Sequence, residues 1–392
     1  MKAVTWQGRR DVRVEEVPDP RIEEPTDAII RVTSSGLCGS DLHLYEVLGP
    51  YMTPGDVLGH EPLGIVEEVG SGVPNLAVGD RVVVPFQISC GACWMCDREL
   101  YSQCETTQVR EQGKGAALFG YSAMYGQVPG GQAEYLRVPL ASSTAVQVEH
   151  GPPDDRFVYL SDVLPTAFQA LEYAAVPDGG TLLVLGLGPI GQMAARLAVH
   201  RGVRVIGVDL VDDRLARASA HGAEVLDSRE GHVAERVKDL TAGRGPESVV
   251  DAVGMEAHGS PVAQAAHTVV GVLPDMLSKP LMEHVGVDRL AALMTAIEVV
   301  QRGGTISLSG VYGGAADPLP MLDLFDKQVQ LRMGQANVRR WIPQLLPLVQ
   351  DPSDPLDVEG FATHHLPLDE APSAYATFQR KTDGAQKILF RP

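Results

Sequence analysis

The chain has 392 residues, of which 44% are hydrophobic and 21% charged, and a formal net charge of −18 at pH 7. That length accommodates two or three domains, each able to bury its own core, and the composition is that of a soluble globular enzyme. The acidic balance argues against a nucleic-acid or anionic-membrane partner, because either would want a basic face.

The N-terminal segment MKAVTWQGRRDVRVEEVPDP has no apolar stretch of the kind that a secretory signal needs. No run approaches the ~18 uninterrupted apolar residues of a membrane span. The expectation is a cytoplasmic protein, where cysteines read as metal ligands or catalytic groups before disulfides.

Residues 1–158 are rich in short β-like runs broken by Gly and Pro: DAIIRVTSSG, LGIVEEVG, GDRVVVP and AEYLRVP. This spacing predicts an antiparallel barrel-like domain. From about Tyr159 the pattern changes. TLLVLGLG reads as a buried strand ending in glycines, PIGQMAARLAVH as a helix and RVIGVDL as a second strand. DDRLARASAHG is a second helix that stops at Gly222. AEVLDS, ESVVDAVG, TISLSGVY and QLRMGQA follow as further strands. Strands alternating with helices imply a doubly wound parallel sheet over 159–336. Between Gly254 and about Leu290 a long segment exceeds a normal connection. An insertion over a cofactor and a plain surface excursion are both open readings of it. The next helix is DRLAALMTAIEVVQRGG. The strand-like AQKILF, within 337–392, is expected to rejoin the first domain.

Gly186-Leu187-Gly188-Pro189-Ile190-Gly191 is a GxGxxG turn between a strand and a helix, and Asp209 ends the next strand eighteen residues past the last glycine. The first glycine permits the tight turn, the second lets backbone approach a pyrophosphate, and the third allows close helix–strand packing. The helix N-terminus supplies free N–H groups for phosphates. Asp209 can accept hydrogen bonds from ribose hydroxyls and repel a 2′-phosphate, which favours NAD. Arg214 complicates that preference, since a nearby Arg can welcome the phosphate.

Four of the five cysteines stand as Cys90-x2-Cys93-x2-Cys96-x7-Cys104, in a segment of 88–106, while Cys38 lies far upstream. The cluster suits a tetrahedral structural zinc with no vacant position. A catalytic zinc takes three protein ligands and leaves one position open. Cys38 and His60 are candidates for it, but no cysteine remains for the third place. Glu61 adjoins His60. Asp162, in Ser161-Asp162-Val163-Leu164-Pro165-Thr166, is either a ligand or an ordinary helix N-cap.

Gly59-His60-Glu61-x2-Gly64-x5-Gly70-x2-Val73, Cys38-Gly39-Ser40-Asp41-Leu42-His43 and the cysteine cluster together resemble the zinc-dependent medium-chain alcohol dehydrogenases. The resemblance covers nearly the whole chain. It implies an α/β fold class in which a GroES-like antiparallel β-barrel catalytic domain is joined to a Rossmann doubly wound parallel sheet. It also implies two Zn2+ per chain and NAD. Most of the family use Cys, His and Cys at the catalytic zinc. The departure here is similar to the glutathione-independent formaldehyde dehydrogenases and dismutases, where Asp is the third ligand. That makes Asp162 the expected ligand.

By the same resemblance, Ser40 would hydrogen-bond the substrate oxygen and His43 would be the relay base. Glu61 would stand behind the metal and approach it transiently, and Phe86 would wall the substrate pocket. Thr166 and Val311 would neighbour nicotinamide, and Arg214 would lie over the adenosine ribose. The implied reaction is NAD-dependent oxidation of a primary alcohol or aldehyde hydrate, with formaldehyde the branch substrate, in a homotetramer or homodimer. Three rivals remain: a zinc alcohol or polyol dehydrogenase without formaldehyde activity, a zinc-free reductase of the same fold, and a non-catalytic NAD-binding protein.

Overall fold

The computed structural model describes residues 1–254, 290–312 and 319–392. The segment after Gly254 that the sequence marks as an insertion therefore lies outside the described residues. The chain forms two units, Met1–Pro165 with Ala336–Pro392, and Thr166–Gln335. The change of sequence style at Tyr159 thus precedes the crossing between them. Residues 159–165 stay with the first unit because they fill its interior. Tyr159 and Leu160 are fully buried. The Tyr159 ring meets Phe361 edge-on at 5.1 Å, and Phe86 N donates to Ser161 O at 3.2 Å.

The first unit is organised by the strand Ala28–Leu37, whose side chains are buried on nearly every position. Its residues Ala28–Arg31 pair antiparallel with Tyr135–Val138 on one side, and its residues Ala28–Ser35 pair antiparallel with Pro62–Val69 on the other. Its C-terminal end pairs antiparallel with Ile388–Arg391. Register shifts at Ile29/Ile30 and Val32/Ser34 are bulges, which bend a strand and let it serve successive neighbours. The sheet continues through Arg81–Val83 to Val146–Gln147, and through Ile388–Arg391 to His364–Pro367. The last of these pairs is parallel. One apolar cluster, including Ile30, Val66, Val82 and Leu136, packs this sheet. Another, including Leu37, Leu44, Tyr375 and Phe390, surrounds its C-terminal strand.

The register gathers chemistry at one end. Ser35 faces Pro62 and Leu37 faces Ile388. Cys38 therefore leaves one strand beside the places where His60-Glu61 and Lys387 enter the two neighbouring strands.

In the second unit six strands form a parallel sheet in the order Glu224–Asp227, Arg204–Asp209, Thr181–Leu185, Ser248–Asp251, Thr305–Leu308, Gln330–Met333. This is the 3-2-1-4-5-6 order of a Rossmann sheet. Thr181–Leu185 is buried at every position, as a central parallel strand covered on both faces must be. The helices Pro189–His200 and Asp212–Ala220 follow the first and second strands of the fingerprint. Gly222, at φ +91°, takes the left-handed conformation that ends the second helix. Among the described residues no helix is long and apolar enough to cross a membrane.

Candidate metal centres and cofactor loop

Cys38 caps the helix Gly39–Glu46, which carries Ser40, Asp41 and His43. The ligand atoms of Cys38, His60, Glu61 and Asp162 lie within 4.8 Å of one another, and all four residues are buried. Asp162 immediately precedes the helix Val163–Ala174, the place of an N-cap. Its Oδ2 nevertheless stands 3.4 Å from the Cys38 Sγ and 3.4 Å from His60 Nε2. Ser40 Oγ is 3.2 Å from that same ring nitrogen. Phe86 meets the His60 ring edge-on, with centroids 6.0 Å apart. His43 is half-buried one turn after Ser40.

The electrostatics of this cluster call for a cation. Burial, then the charges of Asp162 and Glu61, push the Cys38 thiol up to about 11. Burial works against a charged His60, but Asp41 and Asp162 outweigh it and hold the ring well above its ordinary value. A thiol driven to keep its proton and an imidazole driven to gain one are the response of a buried anionic pocket to missing positive charge. A thiolate, an imidazole and a carboxylate are also donor types that zinc accepts. The residues therefore fit a zinc ion.

Two groups around this cluster had no role assigned from sequence. Asp41 is fully buried. Its Oδ2 accepts from Cys38 N at 2.9 Å, and its Oδ1 lies 3.2 Å from His60 Nδ1. It therefore fixes both the backbone of one ligand and the ring of another, as partners behind metal-binding histidines do. Lys387 is also fully buried, and its Nζ pairs with Glu61 Oε2. Burial pushes Glu61 up against the pull of this ammonium. The available signals were an acidic residue inside the Cys38 motif and a lysine opening the apolar run of AQKILF.

The other four cysteines lie on an irregular loop with two short 3₁₀ turns, Cys96–Arg98 and Tyr101–Gln103. Their sulfurs are close: Cys90 to Cys96 4.0 Å and Cys93 to Cys104 3.9 Å. These separations are far beyond a disulfide bond. They match the ~3.8 Å edge of a sulfur tetrahedron around zinc. Cys90 N and Glu105 N donate to Cys104 Sγ and Cys93 Sγ, each at 3.3 Å. Burial would raise the Cys93 thiol, but the donors from Cys96 and Glu105 bring it down to about 6. This set also fits zinc, with all four ligand positions taken.

In the second unit Gly186 stands at φ +83°, a conformation open to glycine. A Cβ on Gly191 would collide with the Gly186 carbonyl, so the third glycine is needed for close packing. Gly188 and Pro189 begin the helix, with Pro at its first position, and Ile190 follows. Asp209 Oδ2 accepts from Leu187 N at 2.7 Å, and its Oδ1 accepts from Leu210 N and Val211 N. The carboxylate thus also anchors the glycine loop. Arg214 Nη1 is 3.7 Å from Asp209 Oδ2, beside Gly188. Thr166 is half-buried on Val163–Ala174. Val311, 52% exposed, follows the strand Thr305–Leu308.

The profile described as the alcohol dehydrogenase GroES-like domain matches residues 24–149, and that described as zinc-binding dehydrogenase matches residues 189–270. Over its whole length the chain is 42% identical to the whole of AdhB, an uncharacterised zinc-type alcohol dehydrogenase-like protein of Bacillus subtilis (strain 168). The chain belongs to the zinc-dependent medium-chain alcohol dehydrogenase family. The dehydrogenase is also 32% identical to the formaldehyde dismutase of Pseudomonas putida, covering 96% of this chain and 94% of that one. Among solved structures, it is similar to the alcohol dehydrogenase TADH from Thermus sp. ATN1, with a TM-score of 0.83 and 34% identity over 100% of this chain and 99% of that one. Family membership makes the dehydrogenase a zinc-binding oxidoreductase.

Proposed function

We propose that this dehydrogenase uses NAD to oxidise a primary alcohol or an aldehyde hydrate, with formaldehyde hydrate as the favoured substrate. The metal would be held by Cys38, His60 and Asp162. The observation that carries this reading is the convergence of the Asp162 carboxylate on Cys38 and His60, at 3.4 Å from each. Three such ligands would leave one position open, the arrangement of a catalytic zinc. The likeness to a formaldehyde dismutase supports the substrate.

Zinc in this position supplies a Lewis acid that favours the ionised form of a substrate hydroxyl, and NAD supplies the hydride acceptor. The chain's own residues hold and move the proton. Ser40 Oγ, 3.2 Å from His60 Nε2, would accept it. His43, one turn along the same helix, passes it toward solvent. Phe86 offers an apolar wall beside His60. The cluster of Cys90, Cys93, Cys96 and Cys104 would hold the second, structural zinc. Gly186, Gly188, Gly191 and the helix they open would bind the pyrophosphate, with Asp209 on the ribose and Arg214 over it. Thr166 and Val311 are proposed neighbours of nicotinamide.

A homo-oligomer fits the exposed apolar side chains Leu322, Phe325 and Met333, which lie on or beside the outer strand of the described parallel sheet. Light scattering on the purified protein tests it.

One observation favours a second reading. Identity to AdhB, whose description is only that of an uncharacterised zinc-type alcohol dehydrogenase-like protein, is higher than identity to the formaldehyde dismutase, 42% against 32%, which supports the alcohol dehydrogenase reading as a whole more than its formaldehyde branch. NADH formation by the zinc-loaded protein, with NAD and without glutathione, on formaldehyde and a set of primary alcohols decides between them. Turnover of formaldehyde supports the first reading, and turnover of alcohols alone replaces it with the second.

A further inference from the structure

We infer that Lys387 is a positioning residue that holds Glu61 out of the metal's coordination set and so keeps the substrate position open. This inference rests on the assignment of a metal to Cys38, His60 and Asp162.

Four ligand atoms, not three, lie within 4.8 Å of one another, and the fourth belongs to Glu61. Four protein ligands make a closed site and three make an open one. Something must therefore restrain Glu61. Lysine is almost never fully buried unless it is paired, and Lys387 is fully buried. Its Nζ donates to Glu61 Oε2 and, at 3.1 Å, to the carbonyl of Leu37, the residue before Cys38. Its own backbone is tied down: the Lys387 carbonyl accepts from Thr363 N at 2.8 Å and from Thr363 Oγ1 at 2.9 Å. The ammonium is thus fixed between the metal-ligand loop and the C-terminal strand.

The Glu61 carboxylate is only half satisfied. Oε1 is buried without a hydrogen-bond partner, whereas an ion pair that is purely structural satisfies its remaining lone pairs. The carboxylate rests against Gly36, where an added Cβ would stand 2.9 Å from both Glu61 Cδ and Lys387 Nζ. The absence of a side chain there makes room for this resting place. Glu61 has two destinations: the berth formed by Gly36 and Lys387, or the fourth place at the metal. The lysine charge selects the first.

The test replaces zinc by cobalt(II) and follows the visible spectrum while imidazole is added as a probe of the open position. In Lys387→Met the freed Glu61 occupies that position, and imidazole affinity falls about tenfold or more, the scale on which partners behind metal ligands act. The double variant Glu61→Gln/Lys387→Met restores the original affinity. Lys387→Arg, which keeps the charge, keeps it as well. Should Lys387→Met not fold, Glu61→Gln alone carries the test. Its imidazole affinity stays within about threefold of the original, because Glu61 is not a resting ligand, whereas second-sphere losses span about 10–100-fold. A tenfold gain in Glu61→Gln, or an unchanged affinity in a folded Lys387→Met, overturns the inference. If instead Cys38→Ser leaves the thiolate-to-cobalt absorption of the protein unchanged, the metal assignment itself has failed.

Discussion

Replacing Asp41 by Asn isolates the support behind the proposed zinc ligands. The aspartate accepts from Cys38 N at 2.9 Å and approaches His60 Nδ1 at 3.2 Å with its other oxygen. Both contacts are buried, and with Nε2 turned to the metal both nitrogens are donors. An asparagine of the same shape offers one acceptor and one NH2, so one of these donors must face another donor. A buried unsatisfied donor costs about 1–3 kcal/mol. The imidazole also loses the carboxylate that raises its basicity, which lowers metal affinity about 10–100-fold.

The assay for Asp41→Asn is competition for zinc against a chelator at fixed pH, paired with thermal denaturation of the metal-free protein. Zinc affinity and melting temperature should both fall. Asp41 also occupies the third position of the helix Gly39–Glu46 and completes its capping box. A lower melting temperature with unchanged zinc affinity would therefore reduce Asp41 to a helix cap and refute its role toward His60.

The metal-free site should take up zinc with strong pH dependence. Cys38 is pushed up to about 11 by burial and the nearby carboxylates, and His60 is held well above its ordinary value. The Cys38 proton leaves on binding, and the raised His60 adds to the proton release. Affinity should therefore rise by at least about tenfold per pH unit near neutral pH, and more steeply where His60 also carries its proton; a pH-independent affinity in chelator competition would contradict this. Cys104→Ser removes a fully buried member of the lobe. Zinc content by elemental analysis should drop from two per chain to about one; retention of two would refute the four-cysteine site. Asp209→Gly removes the proposed ribose acceptor together with three backbone hydrogen bonds. Discrimination against NADP should relax by about tenfold or more, read from kcat/KM with each cofactor. An unchanged ratio with a lower melting temperature would leave Asp209 as a loop anchor alone.

What the sequence made legible follows the distance over which each signal acts. The glycine loop and the four-cysteine lobe are local patterns, and their spacing alone specifies a turn before a helix or a tetrahedron of sulfurs. The parallel sheet was legible because its strands alternate with amphipathic helices. Asp162 was not decidable by such means. It sits in front of a helix, where an aspartate is unremarkable, and only its likeness to the formaldehyde dehydrogenase branch separated ligand from cap. In space its carboxylate meets a thiol 124 positions away. Lys387 is the extreme case, pairing with a residue 326 positions away. No window of sequence contains both. The pairing is created by register: Ile388 faces Leu37, Pro62 faces Ser35, and the residue preceding each strand is carried to the same point. A lysine entering an apolar strand, KILF, requires an anion when buried, and the carboxylate beside the His60 motif requires a cation. Each residue states half of a requirement that the sheet register completes.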